Sequence, residues 1–238
     1  MSDEVYQVYN EFELLLSLMT MVTRLRKFIK KLINRFAKIF GVKWHDLVDS
    51  RVRWVLFLGL RGKKKKVFVV GLNKTGTSSL GETMRDLGRR HLSYSPLAIR
   101  AFNDRDVETL KAIMDGFDSF DDKPWNDPSL WPLMNDRCPE ALWVYTFRNV
   151  EKWSQSYLNY SQQADAPNEE AFIKSLNAEQ FVSQHHGAAK DFEKSNNLSF
   201  VWLDCDDLSR GGSAKLSEAM GCQVKIGHHN VTRLNKSN

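Results

Sequence analysis

At 238 residues, 42% hydrophobic and 26% charged, the chain has room for one substantial globular domain plus an appendage. Its net charge of +5 is unevenly held: residues 1–66 carry 15 Lys/Arg against 6 Asp/Glu, whereas residues 67–238 carry 19 against 23. Three scattered cysteines exclude a disulfide scaffold, and no run reaches the roughly 18 apolar residues of a membrane span.

The first element is basic. From Val22 the apolar residues fall at Val22, Leu25, Ile29, Leu32, Ile33, Phe36, Ile39 and Phe40, the spacing of one helical stripe. Seven Lys and Arg residues between Arg24 and Lys38 fill the remaining faces, and no acid occurs between Glu13 and Asp46. Such a helix over residues 22–43 suits an anionic membrane surface or a groove in a partner protein; its alternative use is packing on its own domain. No zinc, homeodomain or RNA-recognition signature accompanies the charge, so no nucleic-acid partner is expected. The apolar run "LLLSLMTMV" follows acids rather than a basic segment, which argues against a signal peptide. The division falls near Lys66, giving a helical arm (1–66) and a domain (67–238).

Downstream, strands and helices alternate, which predicts an α/β domain of three layers around a mainly parallel sheet. "KVFVVGL" reads as the first strand and "TSSLGETMRDLG" as the helix after it. "DVETLKAIMDG" and "SLWPLMNDR" read as helices, "ALWVYTFR" as a buried strand, and "VEKWSQSYLNY" as the helix it feeds. Residues 168–195 read as one long helix, and "LSFVWLDCDDL" as the last strand. Ligands of such sheets bind at the carboxyl ends of the strands.

The loop after the first strand carries the chemistry. In "VFVVGLNKTGTSSL", Gly71 and Gly76 have the spacing of a nucleotide-triphosphate loop, yet Thr77 stands where its lysine belongs and the only lysine is Lys74. Two glycines, a lysine and four hydroxyl residues at a helix N-terminus form an anion cradle. A second pair lies in "FRNVEKWSQSY": Arg148 at a strand end and Ser156 two helical turns on. Arginine offers a bidentate fork to phosphate, and a hydroxyl can complete the shell.

With these residues together, the chain resembles the sulfotransferases that use 3′-phosphoadenosine 5′-phosphosulfate (PAPS). Their phosphosulfate loop reads like P-K-[TS]-G-T-T, matched by "NKTGTSS" with Asn73 in place of proline, and their 3′-phosphate site is an arginine and a serine eight residues on. A D-x-P element (Asp122, Pro124), the "R-[DN]-x-E-K-W" turn (Arg148 to Trp153) and a late "GHHN" (Gly227 to Asn230) resemble a broad branch of sulfotransferase-like proteins. The late R-K-G motif of the small-molecule branch is absent. The resemblance implies that Lys74 is catalytic and, with Thr75, Gly76, Thr77, Ser78 and Ser79, holds the 5′-phosphosulfate, while Arg148 and Ser156 hold the 3′-phosphate. Sulfuryl transfer builds charge on the bridging oxygen, which a lysine inside the loop can reach, and no metal is expected.

The acceptor hydroxyl needs a base. Asp122 is the preferred candidate, with Asp121, Glu82 and His91 as alternatives, and a solvent-exposed turn as the structural reading of "FDDKPW". His185 and His186 resemble a helical histidine of this branch, with either acceptor-binding or structural roles, and His228 and Asn230 would close the cofactor end of the cleft. Trp125 and Trp131 either stack on a sugar or fill the core. The acceptor itself, glycan, lipid or small molecule, is not specified. Two other readings are a small-molecule or nucleotide kinase, which would need Mg²⁺, and a non-catalytic anion- or membrane-binding relative. Four N-x-[ST] matches do not imply secretion, since a glycan on Asn73 would obstruct the loop; the expected location is the cytoplasm, at a membrane surface if the arm binds one.

Overall fold

Val67–Val69 forms β1, and every side chain of it is buried, because in a computed structural model of the protein this strand is the middle of a sheet covered on both faces. The structure describes residues 44–163, 171 and 173–227. The predicted helix over 22–43 and the residues His228 and Asn230 lie outside them. By internal contacts the chain divides into units of residues 1–51 and 52–238. Among the described residues, no helix is long and apolar enough to cross a membrane.

In chain order the elements are α1 (Trp44–Phe57), β1, α2 (Thr77–Asp86), β2 (His91–Leu92), α3 (Pro96–Asn103), α4 (Val107–Gly116), β3 (Ser119–Phe120), α5 (Trp131–Arg137), β4 (Leu142–Phe147), α6 (Val150–Gln163), α7 (Ala178–Ser195), β5 (Val201–Asp204) and α8 (Ser213–Met220). A short irregular helical stretch, Cys205 to Gly212, joins β5 to α8. Caps fall where short polar side chains precede the helices: Ser95 with Pro96 starts α3, and Asp106 starts α4. The expected single helix over 168–195 is interrupted. Asn177 leaves helical geometry and its side chain accepts from Gln180 N, so α7 begins at Ala178.

The five strands are all parallel, in the order β2-β3-β1-β4-β5. Val67, Val69, Val144 and Leu203 face Leu80 and Met84 of α2 and Leu216 of α8, forming one aliphatic layer. The opposite face is aromatic. Phe68, Phe120 and Trp143 meet one another there, and Trp143 continues the contacts to Trp131 of α5 and Phe192 of α7. The expected α/β architecture with a parallel sheet is therefore met, and its helices occupy both faces.

The chain before β1 is stitched to the domain. Val52 and Val55 of α1 are buried. Gly62 N donates to Asp115 O, Lys64 N to the Asp118 carboxylate, and the Lys66 ammonium to the carbonyls of Asp115 and Phe117. The lysine thereby satisfies carbonyls left open at the end of α4.

Candidate functional site

Because β3, β1 and β4 are adjacent and parallel, their carboxyl ends lie side by side at strand spacings of about 5 Å. Asp122 follows β3, the Gly71–Gly76 loop follows β1, and Arg148 follows β4. The topology thus brings together three segments separated by dozens of residues, at the position where the strand order reverses direction.

The loop folds tightly on its neighbours. A Cβ on Gly71 would stand 2.0 Å from Thr146 Oγ1, so only glycine lets the chain press against β4 at this point. Gly76 (φ 95°) occupies the left-handed region as the residue before α2, and it caps the helix without a side chain. No side chain caps the first turn of α2 and no acid occurs in it, so its positive end is left for an anion. Thr75 is buried and its hydroxyl lies 2.5 Å from Leu72 O and 2.6 Å from Thr146 Oγ1. Thr77 and Ser79 are buried, and Ser78 is exposed at the helix start. Lys74 has φ 69° and lays its ammonium over the Tyr160 ring, 3.2 Å from the centroid.

On the β4 side, Arg148 Nε is buried without a hydrogen-bond partner and lies 3.6 Å from Asp206 Oδ1. Lys152 takes the other oxygen of Asp206 at 2.6 Å. Asn149 caps α6 by accepting from the N–H groups of Glu151 and Lys152, which orients the helix that carries half-buried Ser156. A cleft of about 310 Å³ opens beside this end of the sheet, lined by Leu72, Thr75, Tyr145, Phe147, Arg148, Trp153, His186 and neighbours on α6 and α7. An incompletely satisfied guanidinium and an uncapped helix start fit a doubly anionic nucleotide such as PAPS.

On the β3 side, Asp122 (φ 64°) is half-buried, and the Lys123–Pro124 bond after it is cis. Burial, together with the carboxylate of Asp121, pushes the Asp122 carboxyl above the ordinary range. Hydrogen bonds from Lys123 N and the Asn73 side chain and the charge of Lys74 oppose that rise. Asp122 and Lys74 are therefore within electrostatic reach of each other.

The alternative bases sit differently. Asp121 and His91 are both buried and paired at 3.2 Å, with Ser119 Oγ 3.0 Å from the other ring nitrogen, so neither faces an open surface. Glu82 lies on α2 and pairs with Arg85 one turn on. His185 is buried between Tyr145 OH and Asn126 O, 2.9 Å from each, and burial holds its pKa down. His186 lines the cleft, its pKa also lowered by burial and by Lys190. Trp125 and Trp131 are fully buried, which assigns them to the core and leaves no face for a sugar. Asn126, Tyr145 and Asp206 contact this region without any local sequence signal; asparagine and aspartate in turns have many uses, and only their distant partners distinguish these. Among the described residues no group of three or more His, Cys, Asp or Glu is arranged to hold a metal ion.

Comparison with protein families returns one match: a model described as a sulfotransferase domain aligns with residues 66–198, more than half of the chain. The matched segment includes the loop after β1, Asp122, Arg148, Ser156 and all of α7. No curated protein matches the chain.

Proposed function

The chain belongs to the sulfotransferase family, and from that premise we propose that it transfers a sulfuryl group from PAPS to an acceptor hydroxyl. The observation that carries this reading is the alignment of Asp122, the Lys74 loop and Arg148 at three adjacent parallel strand ends. When bound, PAPS supplies an activated sulfuryl group joined to a phosphate leaving group.

The residues divide the work by charge. Thr75, Gly76, Thr77, Ser78 and Ser79 bind the 5′-phosphosulfate with N–H and hydroxyl groups at the start of α2. Lys74 supplies the positive charge where negative charge develops on the leaving group. Arg148 and Ser156 grip the 3′-phosphate. Asp122 receives the proton of the acceptor hydroxyl, and its raised pKa brings a carboxylate closer to the basicity this step needs. An acceptor screen with labelled PAPS, read by mass spectrometry with and without Mg²⁺, tests the reaction. Sulfated product independent of Mg²⁺ supports it; phosphorylation from ATP that requires Mg²⁺ would replace it with a kinase.

We further propose that the protein works in the cytoplasm against an anionic membrane surface. Supporting this, Trp54, Phe57, Leu58 and Leu60 are exposed large apolar residues in one short segment, followed directly by Arg61 and Lys63 to Lys66. No acid occurs between Asp49 and Glu82. Aromatics beside a basic run suit the headgroup region of an anionic bilayer. The described cysteines Cys138, Cys205 and Cys222 are all free thiols, in keeping with a reducing compartment.

A further inference from the structure

Four segments contribute to one directed series of hydrogen bonds that ends on Asp122. The hydroxyl of Tyr145, on β4, donates to His185 Nδ1 on α7 over 2.9 Å. His185 Nε2 donates to the backbone carbonyl of Asn126 over 2.9 Å. Asn126 Nδ2 donates to Asn73 Oδ1 over 3.1 Å, and the Asn73 side chain hydrogen-bonds the Asp122 carboxylate.

Chemistry dictates the directions. A backbone carbonyl only accepts, so His185 carries its proton on Nε2, and its Nδ1 must accept from the phenol. Asn126 Nδ2 also lies 3.5 Å from Gly71 O, another pure acceptor. Turning that amide over would set oxygen against oxygen at both contacts. Asn73 therefore presents its oxygen to Asn126 and is left with its NH₂ for Asp122. Its main chain is held as well, because Trp153 Nε1 donates to Asn73 O over 2.8 Å.

Resting on the reading of Asp122 as the base, we propose that Asn73 is a positioning residue for sulfuryl transfer. Its amide clamps the Asp122 carboxylate and ties it, through Asn126 and His185, to α7 and β4. Asn73 precedes Lys74, so one residue sets the loop lysine and the carboxylate relative to each other. The clamp also acts on charge. Asp121 beside Asp122, itself paired with His91, disfavours the carboxylate, whereas Lys74 and the Asn73 amide favour it. Loss of the amide leaves burial and Asp121 less opposed, which moves the Asp122 titration upward.

The test compares Asn73→Ala, Asn73→Asp and Asp122→Asn in the full chain, with melting temperature and PAP affinity measured on each. Asn73→Asp keeps an oxygen for Asn126 but sets a second carboxylate against Asp122. The carboxyl carbon of Asp122 is titrated by NMR in the ligand-free protein, its resonance identified by its loss in Asp122→Asn. The expected result is an upward titration shift in Asn73→Ala and a larger one in Asn73→Asp. The acid limb of the kcat profile should move with it, and kcat at neutral pH should fall about tenfold while the KM for PAPS changes less than about twofold. If Asp122→Asn abolishes turnover yet the titration stays in place in both Asn73 variants, the clamp is overturned and the reading of Asp122 stands. If Asp122→Asn still turns over, Asp122 is not the base, and the role of Asn73 in the reaction falls with it whatever the titration does.

Discussion

The indole of Trp153 donates to the backbone carbonyl of Asn73 over 2.8 Å, so the helix after β4 is bonded directly to the loop after β1. Trp153 is buried and packs with Leu72 and Ile173. Trp153→Phe retains most of that apolar contact and deletes only the donor. It is expected to cost about 1–3 kcal/mol, the penalty of an unsatisfied buried acceptor plus a small void. A denaturant titration reads that loss, and calorimetry should show weaker PAP binding, because the loop is no longer held.

Lys74→Ala should leave the fold and most PAP affinity intact, since backbone N–H groups and Arg148 remain. Turnover should fall by orders of magnitude as the leaving-group charge goes unneutralised. A fall of less than about tenfold, roughly 1.4 kcal/mol of barrier, would remove Lys74 from the assigned role.

The two phosphate sites separate by ligand. Arg148→Ala, and more weakly Ser156→Ala, should weaken binding of PAP far more than binding of its analogue lacking the 3′-phosphate. Equal losses for both ligands in calorimetry would mean that these residues support the fold instead. In Arg148→Ala, Asp206 keeps Lys152 at 2.6 Å, so a buried carboxylate is not left unpaired and the fold should survive.

The membrane proposal predicts that the full chain sediments with vesicles containing anionic lipid. Binding should weaken with salt, each basic residue near the surface contributing about 1 kcal/mol. Trp54→Ser with Phe57→Ser should reduce sedimentation without lowering the melting temperature, because both side chains are exposed. Ile29→Ser with Phe36→Ser should abolish it if residues 22–43 enter the lipid. A lowered melting temperature with no lipid binding by the intact chain would place the apolar stripe against protein. A chain beginning at Lys63 would lack Val52 and Val55, which are buried, so a chain beginning at Trp44 is the better test of PAP binding without the first segment.

Much of this protein was legible along the chain because the relevant interactions are local. A run of β-branched and aromatic residues ending in Gly, Ser and Thr has few conformations other than strand, loop and helix start, so Val67 to Leu80 could be read directly. The buried strand Leu142–Phe147 was equally plain, and the eight-residue step from Arg148 to Ser156 is a helical distance. The two-residue strands β2 and β3 are too short to show any period, and their existence depends on pairing with each other and with β1. The break before α7 depends on one asparagine that caps rather than continues a helix. Which carboxylate faces the loop was a tertiary matter: Asp121 and Asp122 are neighbours in sequence, yet one is buried against His91 and the other turns out at a positive φ toward Asn73 and Lys74. The same holds for Asn73, whose partners Asn126 and Trp153 lie 53 and 80 residues away. No local pattern encodes such contacts. They arise only when the parallel sheet sets the ends of β3, β1 and β4 side by side.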